Sequence, residues 1–369
     1  MSTAPDPLPY GTLERRPRKA RGAVSNADGR FEPYVHELVD DGWGSVEPGD
    51  LDGRVATTVS VDASRTVIAS NDSPDVPFDR SINPYRGCEH GCVYCFARPT
   101  HAFLGLSPGL DFETRLLAKP EAAKLLRAEL ARPSYRPAMI AMGTNTDPYQ
   151  PVEKRLGITR AILEVLAEAN HPVSITTKSA LVTRDLDILG PMAAKGLASV
   201  AVSVTSLDPE IARTLEPRAA RPAVRLEAIA ACAAAGVPTA VMVAPVVPAL
   251  TDHEMEAILA AARAAGATRA GWILLRLAME VRGLFEEWLD AHAPDRKARV
   301  LSRLQAMRSG AVYQSDFGIR MTGSGPDAEF LGQRFAVACR RLGYDDGPLR
   351  HDTGRFRRPA ADTRQLSLL

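Results

Sequence analysis

The sequence is short of cysteine, of net charge and of any apolar segment near its start. Five cysteines in 369 residues are an odd number, which argues against a framework of disulfides. A net charge of +1 gives no overall attraction to nucleic acid or to a membrane, so any such affinity has to be local. The opening stretch, MSTAPDPLPYGTLERRPRKAR, contains no apolar h-region. We therefore predict no secretory signal and a cytoplasmic protein whose thiols stay reduced.

Long apolar runs are also scarce. The run over residues 226–250 is mostly apolar, but it is broken by Gly236, Pro238, Pro245 and Pro248. An uninterrupted apolar stretch of roughly 20 residues is needed to cross a membrane as a helix. The broken run instead predicts a helix followed by a buried strand, and no membrane association is expected.

What the sequence does contain is a cluster of three cysteines, Cys88, Cys92 and Cys95, in the stretch CEHGCVYC. Thiolates this close together can share one metal centre, and soft sulfur ligands select zinc or iron–sulfur clusters. A structural zinc site needs a fourth ligand, which His90 or His101 could supply. Three thiolates suit a [4Fe–4S] cluster whose remaining iron is open to another ligand. The spacing by itself leaves both interpretations open.

From Ser81 onward, short apolar runs alternate with helical segments, and several of these segments are followed by Gly, the usual helix stop. Alternation of strands and helices predicts a parallel sheet in an α/β fold. The predicted strands cover residues 81–86, 138–143, 172–177, 199–205, 238–243 and 270–277. The predicted helices cover residues 121–131, 154–169, 184–194, 224–235, 253–264, 280–292, 295–308 and 328–342.

Polar side chains follow three of these strands. GTNTDPYQPVEKR comes after the second strand, TTKS after the third, and SVTSLD with LEPRAARP after the fourth. A single Ser or Thr in such a place is ordinarily a cap for the next helix. Because the carboxyl ends of parallel strands meet at one edge, the three stretches together predict a cofactor pocket there.

The cysteine motif, with an aromatic residue before its third cysteine, resembles the radical S-adenosylmethionine (SAM) superfamily. Over about residues 77–342 the chain further resembles the spore photoproduct lyase-like, or DNA-repair-photolyase-like, branch, with TDPYQPVE as its second specific stretch. The resemblance implies a partial (β/α)6 TIM-like barrel with a [4Fe–4S] cluster held by Cys88, Cys92 and Cys95. It also implies an enzyme that cleaves SAM reductively to a 5′-deoxyadenosyl radical, which acts on a substrate that the sequence does not identify.

The resemblance also assigns residues to the bound SAM. It places Tyr94 or Phe96 near the adenine, and it places Thr146, Lys178 and Ser203 at strand-end positions that contact SAM. These remain expectations of the resemblance, since a hydroxyl or a lysine at a strand end has no unique meaning by itself.

Three further expectations concern charged groups near SAM. Arg218 would pair with the SAM carboxylate, since a guanidinium offers two parallel donors, although Arg213 or Arg221 could serve as well. Asp147 and Glu153 would orient the contacts from behind, or would be turn and helix-start carboxylates.

One departure separates this chain from spore photoproduct lyases. Those enzymes use a cysteine as hydrogen donor at the end of the second strand, and Thr144 stands at the matching place here. A threonine O–H bond is much stronger than a thiol S–H bond, so thymine-dimer repair is not assigned. Cys232 and Cys339 fall in predicted helices and are expected to be packing residues.

Composition divides the chain into five parts. We predict a disordered basic arm over 1–30, an extension over 31–76 that packs on the core through a short strand or hairpin, and the radical SAM core over 77–278. A helical extension follows over 279–346 and a flexible tail over 347–369. The arm is either a contact for nucleic-acid phosphates or simply solvated.

Three partners are expected. The resemblance implies a low-potential electron donor of the flavodoxin or ferredoxin type and allows a nucleic acid. The peptide Gln365–Leu369 resembles the motif by which bacterial DNA-maintenance proteins bind the replication sliding clamp, except that Leu369 replaces the usual aromatic residue.

The alternative function is a zinc-containing nucleic-acid-binding module without radical chemistry.

Overall fold

A computed structural model describes residues 17–32, 55–347 and 349–360. The strands are β1 Thr58–Val61, β2 Ile68–Ser70, β3 Arg80–Ile82, β4 Tyr85–Arg86, β5 Arg115–Ala118, β6 Ile140–Met142, β7 Val173–Thr177, β8 Ala198–Ser203, β9 Thr239–Val246 and β10 Arg269–Leu274. The α-helices are α1 Leu110–Thr114, α2 Ala122–Ala131, α3 Glu153–Leu156, α4 Ile158–Glu168, α5 Leu186–Ala193, α6 Pro209–Leu215, α7 Pro222–Ala234, α8 Met255–Ala264, α9 Val281–His292, α10 Pro294–Ala306 and α11 Pro326–Leu342. Short 3-10 helices cover Arg98–Leu104, Ala180–Asp185 and Asp252–Glu254.

Seven of these strands form one sheet in the order β10–β9–β8–β7–β6–β3–β2. From β3 to β10 the pairs are parallel, and β2 adds an antiparallel edge beside β3. Neighbours follow chain order because helical crossovers return each strand to the same direction. The predicted α/β fold with a parallel sheet is therefore confirmed. The first predicted strand is split, because β4 leaves this sheet and pairs with β5.

The core lies between the sheet and its helices, and the sequence pattern explains why. β8 is buried at almost every residue, with Val200 and Val202 at most 1% exposed, as expected for a strand covered on both faces. On α4, Ile162 and Leu166 lie one turn apart and are fully buried. Each such side chain stabilises the fold by about 1.5–3 kcal/mol.

A second, three-stranded sheet has the order β1–β5–β4 within the described residues. β1 is parallel to β5, and β4 is antiparallel to it. The predicted short strand or hairpin of the extension is thus two strands that belong to different sheets, β1 here and β2 in the large sheet. The partner β5 is more than fifty residues further along the chain, so the local pattern around β1 carries no sign of it.

The disorder predicted for residues 1–30 does not extend to residues 17–30. Arg21 is 8% exposed and Ala23 is 1% exposed. The N–H groups of Gly22 and Ala23 donate to the Glu113 carboxylate at 3.0 and 2.9 Å. A basic composition hid this contact, because its partner is an acidic residue some ninety positions away. Residues 1–16 lie outside the described part of the chain.

The flexible tail predicted over 347–369 is likewise ordered where the structure describes it, over 349–360. The Phe356 ring lies 5.7 Å from the Tyr135 ring and 5.6 Å from the His171 ring. The N–H of Arg357 donates to the Ala169 carbonyl at 2.8 Å. The Phe356 ring and hydrogen bonds from this segment therefore hold it beside the start of β7.

Three other expectations concern the clamp-like peptide, a membrane span and the two cysteines outside the cluster. The clamp-like peptide Gln365–Leu369 lies outside the described residues, so its role stays a prediction. Among the helices that the structure describes, none is both long enough and apolar enough to span a membrane. Cys232 is fully buried in α7 and Cys339 lies in α11, as expected for packing residues.

The buried His171 gives the fold a testable pH dependence. Burial, assisted by the charge of Arg80, lowers the pKa of His171 to about 4, whereas an imidazole in the unfolded chain has a pKa of about 6.5. Between these values the unfolded chain binds more protons, so the free energy of unfolding falls as the pH drops from about 6.5 to about 4. We expect His171 to account for about 3 kcal/mol of this loss.

Urea unfolding at about pH 7.5 and about pH 4.5 would measure the loss. His171→Gln should show a smaller loss than the wild-type protein because glutamine does not titrate. His253→Gln, at an exposed histidine, is the matched control and should behave as wild type. An equal loss in His171→Gln and wild type would contradict this assignment.

Candidate metal centre

The three clustered cysteines lie on the loop between β4 and the 3-10 helix Arg98–Leu104. Cys88 and Cys92 are buried, Cys95 is partly exposed, and all three are free thiols. Gly91 lies between the first two with a φ of +68°, and a Cβ atom there would meet the Glu113 carboxylate at 2.7 Å. The loop therefore passes too close to Glu113 to carry a side chain at this point.

Backbone N–H groups are aimed at two of the sulfur atoms. The N–H of Asp147 bonds to the Cys88 sulfur, and two N–H groups just after Cys95 bond to the sulfur of that residue. Such bonds favour the thiolate form. Burial outweighs them, since it raises the pKa of the Cys88 and Cys95 thiols, and it raises the pKa of the Cys92 thiol to about 12. A metal that binds here must therefore displace protons.

Each of the two histidines considered as zinc ligands has one ring nitrogen engaged, and among the described residues His101 Nδ1 is buried without a hydrogen-bond partner. His90 Nδ1 lies 3.3 Å from an Asp147 carboxylate oxygen, and His101 Nε2 lies 3.1 Å from the Arg115 carbonyl. Within the part of the chain that the structure describes, no three His, Cys, Asp or Glu side chains converge as the ligands of one ion must. A four-iron cluster gives each thiolate its own iron, so its ligands stand further apart. A set of three thiolates suits a [4Fe–4S] cluster with one open iron.

The cysteine loop is fixed to the neighbouring strand ends. The side-chain amide of Gln150, which follows β6, accepts from the Glu89 N–H at 2.8 Å and donates to the Gly87 carbonyl at 3.2 Å. The Val93 N–H donates to the carbonyl of Leu215, the last residue of α6, at 3.1 Å. The loop is thus tied to two different crossovers, which limits its conformational freedom.

A buried ion pair supports the loop from behind. Arg98 and Glu113 are both 0% exposed, and an Arg98 Nη2 to Glu113 Oε1 distance of 2.5 Å joins them. Arg98 also donates to four backbone carbonyls, those of Gly91, Cys92, Pro108 and Gly109. Because Glu113 also accepts the two N–H groups of the N-terminal segment, the pair joins that segment to the cysteine loop.

A buried carboxylate that the sequence analysis did not single out, Glu216, organises the predicted pocket. It accepts hydrogen bonds from the Tyr94 hydroxyl, the Thr205 hydroxyl and the Arg225 guanidinium, and Lys178 Nζ lies 4.0 Å away. Burial alone would raise the pKa of Glu216, but the charges of Arg225 and Lys178 and the hydrogen bonds hold it at about 2. Only the arginines of the stretch LEPRAARP were considered from the sequence, although its glutamate carries the network.

The predicted lysine lies beside this carboxylate with spare bonding capacity. Lys178 Nζ is 3.5 Å from the Ala244 carbonyl and 5.8 Å from the centre of the Tyr94 ring. Among the described residues its three N–H donors make only these contacts and the 4.0 Å contact with Glu216, so a further acceptor can bind. The two aromatic candidates are separated: Tyr94 is buried beside Lys178, whereas Phe96 is 46% exposed and lies 5.3 Å from the Arg276 guanidinium.

Of the remaining predicted SAM contacts, Ser203 lies next to Lys178, whereas the Thr146 hydroxyl is bonded to the backbone. In the β7–β8 register Thr177 is opposite Val202, so Lys178 and the buried Ser203 are neighbours at the strand ends. The Thr146 hydroxyl donates to the Tyr85 carbonyl at 3.0 Å.

Arg218 is directed elsewhere. Its guanidinium lies 2.8 Å from the Glu89 carboxylate and 3.3 Å from the Thr57 hydroxyl. The alternatives are also engaged or exposed, since Arg213 pairs with Glu210 at the surface. Lys178, and not Arg218, is therefore the predicted cation that lies beside Tyr94 and Glu216.

The two orienting carboxylates both have defined partners. Asp147 accepts from the Thr177 hydroxyl and the Lys178 N–H, each at 2.7 Å, which fixes the end of β7. Glu153 is fully buried and accepts from the Tyr85 hydroxyl at 2.5 Å. Thr144, the residue in place of the family's cysteine donor, lies 3.4 Å from the Asn83 side-chain oxygen.

Comparison with known proteins identifies relatives of the chain. Residues 82–262 match the model of the family described as the Radical SAM superfamily. An uncharacterized protein of Mycobacterium tuberculosis (strain ATCC 25618 / H37Rv) is 44% identical over 226 residues, which are 61% of this chain and 66% of that protein. An uncharacterized protein of Methanocaldococcus jannaschii is 27% identical over 175 residues, 47% of this chain and 62% of that protein. The chain thus matches just under two thirds of the length of these relatives.

Solved structures of spore photoproduct lyase share the fold. One variant superposes with a TM-score of 0.57 at 16% identity, over 78% of this chain and 80% of that chain. A second variant, with bound AdoMet and dinucleoside spore photoproduct, gives a TM-score of 0.56 at 14% identity over the same shares. At such low identity the likeness establishes the fold alone.

The buried ion pair behind the loop can be tested by removing one charge. Glu113→Gln leaves the Arg98 guanidinium buried without a compensating carboxylate, so we expect the free energy of unfolding to fall by about 3–5 kcal/mol. Urea unfolding measures the change. Glu121→Gln is the matched control, because Glu121 pairs with Lys124 at the surface and should contribute about 1 kcal/mol or less. Equal losses in the two variants would show that the buried pair does not hold the loop.

Proposed function

Because the chain belongs to the radical SAM superfamily, we propose that it is an enzyme that holds a [4Fe–4S] cluster on Cys88, Cys92 and Cys95 and binds SAM beside it. The observation that supports this most directly is the set of three free thiols on one loop, with backbone N–H groups aimed at two of the sulfurs. When bound, the cluster and SAM supply a reductive cleavage that releases a 5′-deoxyadenosyl radical for hydrogen abstraction.

The cysteine loop contributes a rigid and dry set of donors. Hydrogen bonds to cluster sulfurs, together with low solvent exposure, adjust the reduction potential of such a centre. Three thiolates are one fewer than the irons of a [4Fe–4S] cluster, which leaves one iron for the amino and carboxylate groups of SAM. The hydrogen bonds of Gln150 and Arg98 to the backbone of the cysteine loop would hold the thiols in place for the cluster.

The pocket beside the loop provides groups for the rest of SAM. The Lys178 ammonium would hold the SAM carboxylate and the Ser203 hydroxyl would hydrogen-bond to it, as neighbours at the ends of β7 and β8. The Tyr94 ring would lie against the adenine, with its hydroxyl held by Glu216. The ionised Glu216 holds the Lys178 ammonium and the Tyr94 hydroxyl in position, so it acts as a positioning residue.

The substrate is proposed to be a nucleic acid. One neighbouring structure carries a dinucleoside spore photoproduct, and the present chain has the same barrel. The repair of that photoproduct is not proposed here, because Thr144 is a poor hydrogen-atom donor where the resemblance expects a thiol. The radical would therefore act on a different nucleotide lesion or group.

The reaction needs an electron, so a low-potential donor of the flavodoxin or ferredoxin type is part of the proposal. The zinc-containing binding module remains the competing function. It is supported by the cysteine spacing and by the free ring nitrogen of His101, which could supply a fourth ligand. Metal content after anaerobic purification separates the two functions, because zinc without iron would refute the enzyme.

The ligand assignment is tested by single replacements. Cys88→Ala, Cys92→Ala and Cys95→Ala should each abolish the iron–sulfur absorbance and SAM cleavage, since each removes one of three required ligands. Iron and sulfide content after anaerobic reconstitution is the measurement. Cys232→Ala and Cys339→Ala are the matched controls and should retain full iron content. Loss of iron in Cys232→Ala with retention in Cys88→Ala would show that the ligands are misassigned.

The SAM pocket is tested by binding. Lys178→Ala should weaken SAM binding by about ten- to a hundredfold, because a charge-assisted hydrogen bond contributes about 1.5–3 kcal/mol. Ser203→Ala removes one hydroxyl bond to the same carboxylate and should also weaken SAM binding, by about 1.5–3 kcal/mol at most. Calorimetric titration of the cluster-loaded protein without reductant gives both affinities, and iron content shows that the cluster is retained.

Lys195→Ala is the control for the loss of a lysine. Lys195 is exposed and pairs only with the neutral Asn170 at 3.0 Å, near the start of β8, so SAM affinity should not change. If Lys178→Ala and Lys195→Ala bind SAM equally, the cofactor pocket lies elsewhere.

A further inference from the structure

Two neighbouring arginines near the exposed end of the cysteine loop have no carboxylate partner among the described residues, Arg276 and Arg308. Arg308 is 0% exposed and donates only to the carbonyls of Leu275, at 2.8 Å, and Arg320, at 3.2 Å or more. Arg276 makes one 3.5 Å contact with the Met321 sulfur. The Nε atom of each guanidinium is buried and has no hydrogen-bond acceptor.

These two cations are close enough to oppose each other. Burial and the charge of Arg276 lower the pKa of Arg308 to about 10. The nearby carboxylate of Asp75 acts on Arg276, but it already accepts from the Gly318 N–H at 2.6 Å and from the Arg320 guanidinium. A buried positive charge without a partner is costly, so the arrangement is explained best if an anion completes it.

The surroundings indicate what kind of anion fits. The Arg276 guanidinium lies 5.3 Å from the centre of the Phe96 ring, and Phe96, which is 46% exposed, directly follows the proposed cluster ligand Cys95. The ligand should therefore combine an anionic group with a flat ring.

We propose that Arg276, with the positive charge of the buried Arg308 behind it, binds a phosphate group of a nucleotide substrate whose base lies against Phe96. Guanidinium groups bind phosphate through two parallel hydrogen bonds, and aromatic faces stack on any base. The inference rests on the proposed function, since it names the chemistry of the substrate that the radical would meet.

The binding experiment uses a fluorescent single-stranded oligonucleotide and the cluster-loaded full chain with SAM, without reductant. Arg276→Gln should weaken binding by about ten- to a hundredfold. It should also reduce the slope of log affinity against log salt by about 0.7, the share of one phosphate contact on a single strand. Arg276→Lys should restore the slope but not the full affinity, because it keeps the charge and loses the paired donors.

The matched control is Arg303→Gln, which removes an exposed arginine paired with Asp327 at 2.7 Å. It should leave affinity and slope unchanged. Circular dichroism confirms folding of each variant, and Arg308→Lys provides a second variant at the buried site. Equal binding by Arg276→Gln, Arg303→Gln and wild type would overturn the proposal, as would the absence of oligonucleotide binding by wild type.

Competition identifies the group and its source. Inorganic phosphate should displace the oligonucleotide, whereas acetate at the same ionic strength should not, and equal displacement by acetate would overturn the phosphate assignment. Tight binding of a mononucleotide would place the phosphate on a free nucleotide, and weak binding would place it on a strand. SAM cleavage by wild type is measured separately, so a failure there refutes the proposed enzyme without touching the binding result.

Discussion

The buried pair of Arg98 and Glu113 is the constraint on which the cysteine loop depends. The Arg98 guanidinium donates to two carbonyls of the cysteine loop, to two carbonyls further along the chain and to the Glu113 carboxylate, which also holds the N-terminal segment. Because both charges are fully removed from water, neither is stable there without the other. The cysteine loop is therefore held by an arginine just after its third thiol and by a carboxylate from a later helix.

The second organising feature is the edge of the sheet at which the carboxyl ends of the parallel strands lie. Register brings Lys178 and Ser203 side by side, and the crossover after β8 returns Glu216 to the same place. This carboxylate stays ionised because Arg225 and Lys178 outweigh its desolvation. A single buried anion thereby fixes a tyrosine, a lysine and the shape of the pocket beside the cysteine loop.

Some buried arginines pair with a carboxylate, and two others have no carboxylate partner among the described residues. Arg98 and Arg225 are buried with carboxylates, as a folded protein requires of a charge that serves structure only. Arg276 and Arg308 are placed next to each other against backbone carbonyls, sulfur and an aromatic face. In the low dielectric of the interior, Arg98 and Arg225 are each balanced by a carboxylate. The charges of Arg276 and Arg308 have no such partner among the described residues, and we propose that an anionic ligand supplies it.

The sequence by itself determined the alternation of strands and helices and the identity of the three thiols. Each depends on local periodicity or on close spacing, whereas the roles of Lys178 and Ser203 come from the family resemblance and stay a prediction. Only the tertiary structure decided that Glu216 joins Tyr94 to Lys178, that Arg218 turns to Glu89, and that Phe356 seats part of the tail on His171. It also decided that the basic arm is buried from Arg21 to Ser25. These outcomes depend on contacts between charges and rings that are far apart in the chain. Such long-range contacts produce no periodic pattern in the sequence around either residue.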